Sequence, residues 1–377
     1  MIKINDEIKK WADDVWEKAD KKLREVAPRT KEKLPYTTIG GVYDNKHTEH
    51  SCWWTNGFFT GLMWLMYVDT KNDIYKEAAE NGEKLLDTAF DIYDGLHHDV
   101  GFMWHISSGI NYRLFGGQKS KVRTLTAANL LSARYNEKGK FIRAWNGECY
   151  GWAIIDCMMN VPLLYWASRE IDDPRYAFIA ENHADTTMKN HIRPDGSVNH
   201  ILVYDHMNGE GVIENRGGQG FCEGSSWSRG QSWALYGFIL SYIHTKKQEY
   251  LDTAKSVAHY FIANICDDYL PKCDFRSPAE PVIYDSTAGA IAACGLIEIA
   301  KNVPEHEKKI YLNAAINILK ALEKNFCNWE NTEDSILGMG TEAYHCEEKG
   351  RHIPIVYGDY YFIEALYKLR GNDMLFW

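Results

Sequence analysis

Two kinds of helical stretch alternate along this chain, and that alternation constrains its fold more than any other feature. Ile4, Ile8, Trp11 and Val15 recur at spacings of four, three and four, the stripe of a helix that buries one face. Further helical stretches begin near residues 56, 73, 101, 120, 152, 174, 226, 248, 285, 306 and 358, making twelve. The odd-numbered ones are amphipathic, as in Asp73-Ile-Tyr-Lys-Glu-Ala-Ala-Glu. The even-numbered ones are apolar nearly all round, as in Gly57-Phe-Phe-Thr-Gly-Leu-Met-Trp-Leu-Met and in the run from Ala153 to Trp166. A helix apolar on every side has to be buried on every side. The pattern predicts an all-α chain of six helical hairpins, an inner buried ring within an outer amphipathic ring: the (α/α)6 barrel. A stacked solenoid would also alternate, but it carries a sequence repeat of fixed period, and none is found. No Pro-, Gly- or Ser-rich linker interrupts residues 1–377, which therefore read as one domain.

Polar residues gather at one place on this pattern. Each even-numbered helix opens with a polar or aromatic cluster: Trp54-Thr-Asn-Gly, His97-His-Asp-Val-Gly, Trp152 with Asp156, Ser226-Trp-Ser-Arg-Gly-Gln-Ser-Trp, Tyr284-Asp-Ser-Thr and Tyr357-Gly-Asp-Tyr-Tyr. In a barrel, all six line the same mouth. Helix capping explains Asn, Asp and Ser there, but not Trp, His and Arg. The long connections 28–53, 135–151, 191–225, 266–284 and 327–357 ring the same mouth.

Composition narrows the ligand class. Aromatic residues make up 13%, with 13 Trp and 23 Tyr, and such flat faces with a polar handle suit sugar rings as well as a core. A net charge of −10 disfavours nucleic acid, while leaving a small anionic substrate open. The N-terminus has no signal-like apolar segment and no run is long enough to span a membrane. Nine cysteines without a C-x-x-C pair read as reduced thiols in a cytosolic protein. Zinc is disfavoured, and no cofactor motif survives inspection: Gly224-Ser-Ser-Trp-Ser misses the nucleophile elbow, and Gly338-Met-Gly-Thr-Glu-Ala has no βαβ unit around it.

Two carboxylates carry the candidate chemistry. Asp156 is an ionisable group inside an apolar run, where a bare charge is costly. Either it is paired structurally, or burial raises its pKa and suits it to general-acid work. Asp99 follows two histidines; it is an N-cap, or a carboxylate kept charged beside a helix N-terminus. Two carboxyl groups in opposed environments can divide acid and base roles, as in carbohydrate-cleaving enzymes. Arg229 and Trp233, four apart, share a helix face: they form a cation–aromatic contact, or a guanidinium for a substrate carboxylate beside an indole for its ring. Gln219 lies in the glycine-rich Arg216-Gly-Gly-Gln-Gly, where backbone can approach a ligand closely.

These pieces together resemble the unsaturated glucuronyl hydrolases of glycoside hydrolase family 88 over most of the chain. The matching residues are Trp54-Thr-x-Gly-Phe, His97-His-Asp-Val-Gly-Phe, Ala144-Trp145, Ile154-Ile-Asp-Cys, Asn199-His200, Gln219-Gly220, Ser226-Trp-Ser-Arg-Gly-Gln-Ser-Trp, Asp285-Ser, Cys294-Gly-Leu-x-Glu-Ile-Ala and Gly358-Asp-Tyr-Tyr. The resemblance implies an (α/α)6 barrel and removal of a Δ4,5-unsaturated uronate from lyase-generated oligosaccharides, such as unsaturated chondroitin or hyaluronan disaccharides. It implies Asp156 as the acid and base that hydrates the vinyl ether, with Asp99 as its partner. It implies a pocket of Trp54, His98, Trp145, His200, Gln219, Arg229, Trp233 and Tyr344, and neither metal nor cofactor. Two residues depart from some relatives. Asn56 replaces an Asp, and Gly218 replaces a larger polar residue, which would widen the second-sugar site, with Arg216 as a possible compensation. The alternatives are an unsaturated rhamnogalacturonyl hydrolase acting on pectin fragments, a sugar-binding protein without turnover, and a sugar epimerase. The expected protein is cytoplasmic, a monomer or weak homo-oligomer, with no nucleic-acid or membrane partner.

Overall fold

In the computed structural model, which describes residues 4–377, the helices run in the order α1 (Asp6–Thr30), α2 (Lys46–Glu49), α3 (Phe58–Thr70), α4 (Asp73–Leu86), α5 (Val100–Trp104), α6 (Ser108–Phe115), α7 (Gln118–Ser132), α8 (Pro162–Ile171), α9 (Pro174–His191), α10 (Ser228–Thr245), α11 (Gln248–Asn264), α12 (Ser286–Asn302), α13 (Glu305–Phe326) and α14 (Val356–Leu369). The all-apolar stretches form the inner ring: α3, α5 with α6, α8 and the 3-10 turn before it (Ile155–Met159), α10, α12 and α14. Helix α10 packs on α12, α12 on α14, α14 on α3 and α3 on α6, while the 3-10 turn before α8 packs on α10 and is tied to α5 by the Phe102 amide on Asn160, so the ring closes. Closure rules out the open solenoid. Every residue of α14 is buried, as is α12 from Ser286 to Ala300. The outer helices α1, α4, α7, α9, α11 and α13 bury one stripe each, as Ala12, Val15, Ala19, Leu23 and Val26 do in α1. The fold is the α/α barrel that the alternation predicts.

Much of the aromatic content is spent on this core. Phe102 lies 5.3 Å from Phe58 and 5.2 Å from Trp233, ring centre to ring centre, and Tyr361 stacks on Trp377 at 5.8 Å. Such pairs add about 0.5–1.5 kcal/mol beyond their burial.

The structure departs from the twelve-helix reading at the mouth. The second inner helix is broken between Trp104 and Ser108, giving α5 and α6. The third does not begin near residue 152 but at Pro162, which occupies the first helical turn, where its missing N–H costs nothing. Short strands fill the connections: β1 (Thr38–Ile39) with β2 (Val42–Tyr43), β3 (Tyr135–Asn136) with β4 (Phe141–Ile142), and a sheet in the order β5 (Trp152–Ile154), β6 (Ile201–Tyr204), β7 (Val212–Arg216). Residues 152–154 pair antiparallel with 201–203, which carries Asp156 and His200 to the same spot.

Candidate active site

Seven of the ten expected site residues line one cavity of about 220 Å³: Trp54, His98, Asp99, Trp145, Asp156, His200 and Gln219. Trp53, His97 and Ile154 complete its wall. The residues come from the turn into α3, the N-terminus of α5, the β4–β5 connection, the 3-10 turn before α8 and the segments flanking β6 and β7. Of the six clusters at helix starts, the three earliest in sequence face this cavity. The others are sealed beneath connection 327–357: Asp285 pairs with Arg229, and Asp359 takes hydrogen bonds from Tyr43, Ser335 and the amides of Ile336 and Leu337.

Asp99 occupies the N-cap position of α5, but its carboxylate caps nothing. Its Oδ2 lies 3.2 Å from Nδ1 of His97 and 3.4 Å from Nε2 of His98, and its Oδ1 accepts from Asn160 Nδ2 at 3.2 Å. Burial works against its charge, but His98, His97 and Asn160 outweigh burial and hold the carboxyl below the usual carboxylate range. Burial pushes His98 down to about 4. The potential ligand atoms of His97, His98 and Asp99 lie within 4.8 Å of one another, so this trio is where a cation could sit. The same ring nitrogens already face the Asp99 carboxylate.

Asp156 is held differently. Its Oδ1 is buried and has no hydrogen-bond partner among the described residues; Nε2 of His200 stands 3.6 Å away. Nδ1 of His200 accepts from the amide of Gln219 at 3.0 Å. That nitrogen is therefore unprotonated, and Nε2 carries the proton that points at Asp156. The His200 ring rests on Trp227 at 4.2 Å. Gly218 has φ +59°, and a Cβ there would lie 2.2 Å from His200 Nδ1. Glycine at 218 thus lets the chain wrap His200. Arg216 stays at the surface, paired with Glu214 and lying over Trp152 at 4.5 Å.

Three expected residues do not line the cavity. Arg229 is 1% exposed. Its guanidinium pairs with Asp285 and donates to the carbonyls of Thr341 and Glu342 at 2.7 Å each. The fork expected for a substrate carboxylate grips the protein's own carboxylate and props the 341–344 segment. Trp233 is fully buried against Phe102 and Tyr361, because its face of α10 turns toward the barrel axis. Tyr344 lies just outside, its amide donating to the Gln219 carbonyl at 2.9 Å and its ring against Phe221.

Asn160 is the residue that the sequence reading missed. It is fully buried; Nδ2 donates to Asp99 and to the Asp156 carbonyl, and Oδ1 accepts from the amide of Phe102 at 3.0 Å. It lies four residues after Asp156 in the same apolar run. An amide inside an apolar run must also find hydrogen-bond partners when buried, and that was the signal for Asn160.

A closed double ring of helices, with two carboxyl groups and indole faces in one cavity at its mouth, is the arrangement expected of an α/α-barrel enzyme acting on sugars. Comparison with known proteins narrows this further. The chain is 35% identical over 338 residues to the unsaturated glucuronyl hydrolase of Bacillus sp. (strain GL1), covering 86% of this chain and 88% of that one. It is 36% identical over 336 residues to the unsaturated chondroitin disaccharide hydrolase of Streptococcus pneumoniae, covering 86% and 83%. An unsaturated glucuronyl hydrolase mutant from Streptococcus agalactiae, solved in complex with dGlcA-GalNAc6S, superposes with a TM-score of 0.83 at 28% identity, covering 98% of this chain and 94% of that one. No family model matches the chain. The chain belongs to the unsaturated glucuronyl hydrolases, the enzymes of glycoside hydrolase family 88.

Proposed function

We propose that the enzyme releases the non-reducing Δ4,5-unsaturated uronate from glycosaminoglycan disaccharides of the chondroitin or hyaluronan type, by hydrating the vinyl ether rather than attacking the anomeric carbon. The observation that carries this reading is the contrast between the carboxyls. Asp99 is held ionised by the Asn160 amide and the two histidine rings beside it, while Asp156 presents a buried oxygen without a hydrogen-bond partner to the cavity. Asp156 as a carboxylic acid gives its proton to C4, and positive charge develops at C5 and the ring oxygen. Water adds to C5 and loses a proton to the Asp156 carboxylate, which restores the acid. The resulting hemiketal opens by breaking the bond from C5 to the ring oxygen, leaving a C5 ketone. The neighbouring sugar then leaves from C1. His200 Nε2–H steadies the Asp156 carboxylate between the two transfers, and Trp54 and Trp145 offer flat faces to the ring.

The glycosaminoglycan substrate is supported by the relatives' named substrates. The whole described chain is read as one catalytic domain, a monomer or weak homo-oligomer. A cytoplasmic location is supported by nine unpaired cysteines, and no described helix is long and apolar enough to cross a membrane. The test is the ultraviolet absorbance of an unsaturated chondroitin disaccharide incubated with the purified enzyme. Loss of the conjugated double-bond signal with release of free amino sugar is expected. A flat trace overturns the glycosaminoglycan assignment, and turnover of an unsaturated rhamnogalacturonan disaccharide instead moves the enzyme to pectin fragments.

A further inference from the structure

A second cavity, of about 410 Å³, adjoins the first and shares one lining residue with it, His97. Ligand pockets commonly measure about 300–1,000 Å³, so the 220 Å³ catalytic cavity is small and suits one terminal ring. The second is large enough for more of the chain. Its wall combines two guanidiniums, Arg134 and Arg143, with Tyr150 and His206, against the single carboxylate of Asp94.

Arg143 donates from Nε to the Cys149 carbonyl at 3.1 Å and from Nη2 to the Gly147 carbonyl at 2.6 Å. It makes no ion pair with a carboxylate among the described residues, so its charge is not neutralised by the protein. Tyr150 is 54% exposed, with the Arg143 guanidinium 4.7 Å and the His206 ring 5.6 Å from its centre. The exposed Tyr150 ring beside a guanidinium without a carboxylate partner suits a sugar ring that bears a carboxylate. A chain with a net charge of −10 has no general attraction for such a ligand, so local charge has to supply it.

We propose that this second cavity is a subsite for a further uronate residue of oligosaccharides longer than a disaccharide. The inference rests on the reaction proposed above and adds a preference for chain length to it. His97 is the link between them: it lines both cavities, and its Nδ1 lies 3.2 Å from the Asp99 carboxylate.

The experiment compares kcat/KM for unsaturated hyaluronan-type disaccharide and tetrasaccharide, whose only charges are carboxylates. It uses the wild type, Arg143→Gln, which keeps a donor for the loop carbonyls, and Tyr150→Ala. Each variant is expected to lower the tetrasaccharide-to-disaccharide ratio about fivefold to tenfold, with disaccharide turnover near that of the wild type. A ratio unchanged in both variants overturns the subsite, including the case where both substrates slow in parallel. Inactivity of the wild type toward both substrates is a different result, and it overturns the proposed function instead.

Discussion

Asn160 and Asp99 meet through a 3.2 Å hydrogen bond from Nδ2 to Oδ1, and the same amide reaches the Asp156 carbonyl at 3.3 Å. One buried side chain therefore ties the turn that carries Asp156 to the carboxylate opposite it. Its Oδ1 is occupied by the amide of Phe102 in the first turn of α5. Gly101 permits this closeness, since a Cβ there would lie 2.6 Å from Asn160 Oδ1.

Replacing Asn160 tests that tie. Asn160→Asp exchanges a donor for a second carboxyl beside Asp99, and like charges disfavour each other's ionisation. The pKa of Asp99 rises, so the acid limb of the kcat/KM profile moves to higher pH. Asn160→Ala leaves the Phe102 amide unpaired and costs about 1–3 kcal/mol of stability. Urea melts and pH–rate profiles separate the two effects.

Asp156→Asn removes the proton donor while keeping the shape of the side chain. Turnover falls by roughly 10²–10⁴-fold, the usual worth of general acid–base catalysis. Binding of the unsaturated disaccharide, followed by calorimetry, is retained. A variant that still turns over at the wild-type rate removes Asp156 from the proposed role.

Gly218→Ala pushes a methyl into His200 and strains a left-handed backbone position. His200 moves off Asp156, and a misplacement near 1 Å costs on the order of 10²-fold in rate. The circular dichroism spectrum stays that of the wild type. Equal activity in this variant would show that His200 has no part in the reaction.

Arg229→Ala is expected to act on stability rather than on substrate affinity alone. It leaves Asp285 as a fully buried charge without its ion-pair partner, held only by the Thr287 hydroxyl and neighbouring amides, at a cost of about 3–5 kcal/mol. Thermal unfolding should show a large loss. A variant as stable as the wild type but with a raised KM would return Arg229 to the substrate-binding role.

Acidification should destabilise the fold. Burial lowers His98 and His191 to about 4 and His183 and His244 to about 3, whereas in the unfolded chain they titrate near 6.5. The unfolded state therefore binds more protons below pH 6.5, and stability falls as pH drops through that value. By pH 5.5 each histidine contributes about 1 kcal/mol to the loss. Asp359, raised by burial to about 6, runs the other way and is outweighed by the four. A melting temperature that does not fall between pH 7 and pH 5.5 contradicts this assignment of neutral buried histidines.

Several features of the site were legible before the fold was known. Asp156 stood out as a charge in an apolar run, and the motif of His98 and Asp99 stood out at the start of an earlier apolar stretch. What could not be read was orientation. Arg229 and Trp233 share a helix face as their spacing says, yet that face turns inward and its guanidinium meets Asp285. Residues 152–154 look helical because their neighbours are apolar, but they pair with 201–203 as strand. A short apolar run is compatible with either state until a partner strand is present.

The sequence by itself determined the helices, their alternation and hence the closed double ring, because a helix is encoded by neighbours three and four residues apart. It also determined which ionisable groups would be forced into apolar surroundings. Only the tertiary structure decided which polar helix starts stay open and which are sealed, and that Asn160 joins Asp99 to the turn of Asp156. It also decided that Gly218 seats His200. Each of these depends on connections folding across the barrel mouth and bringing together side chains far apart in sequence. No local periodicity carries that information.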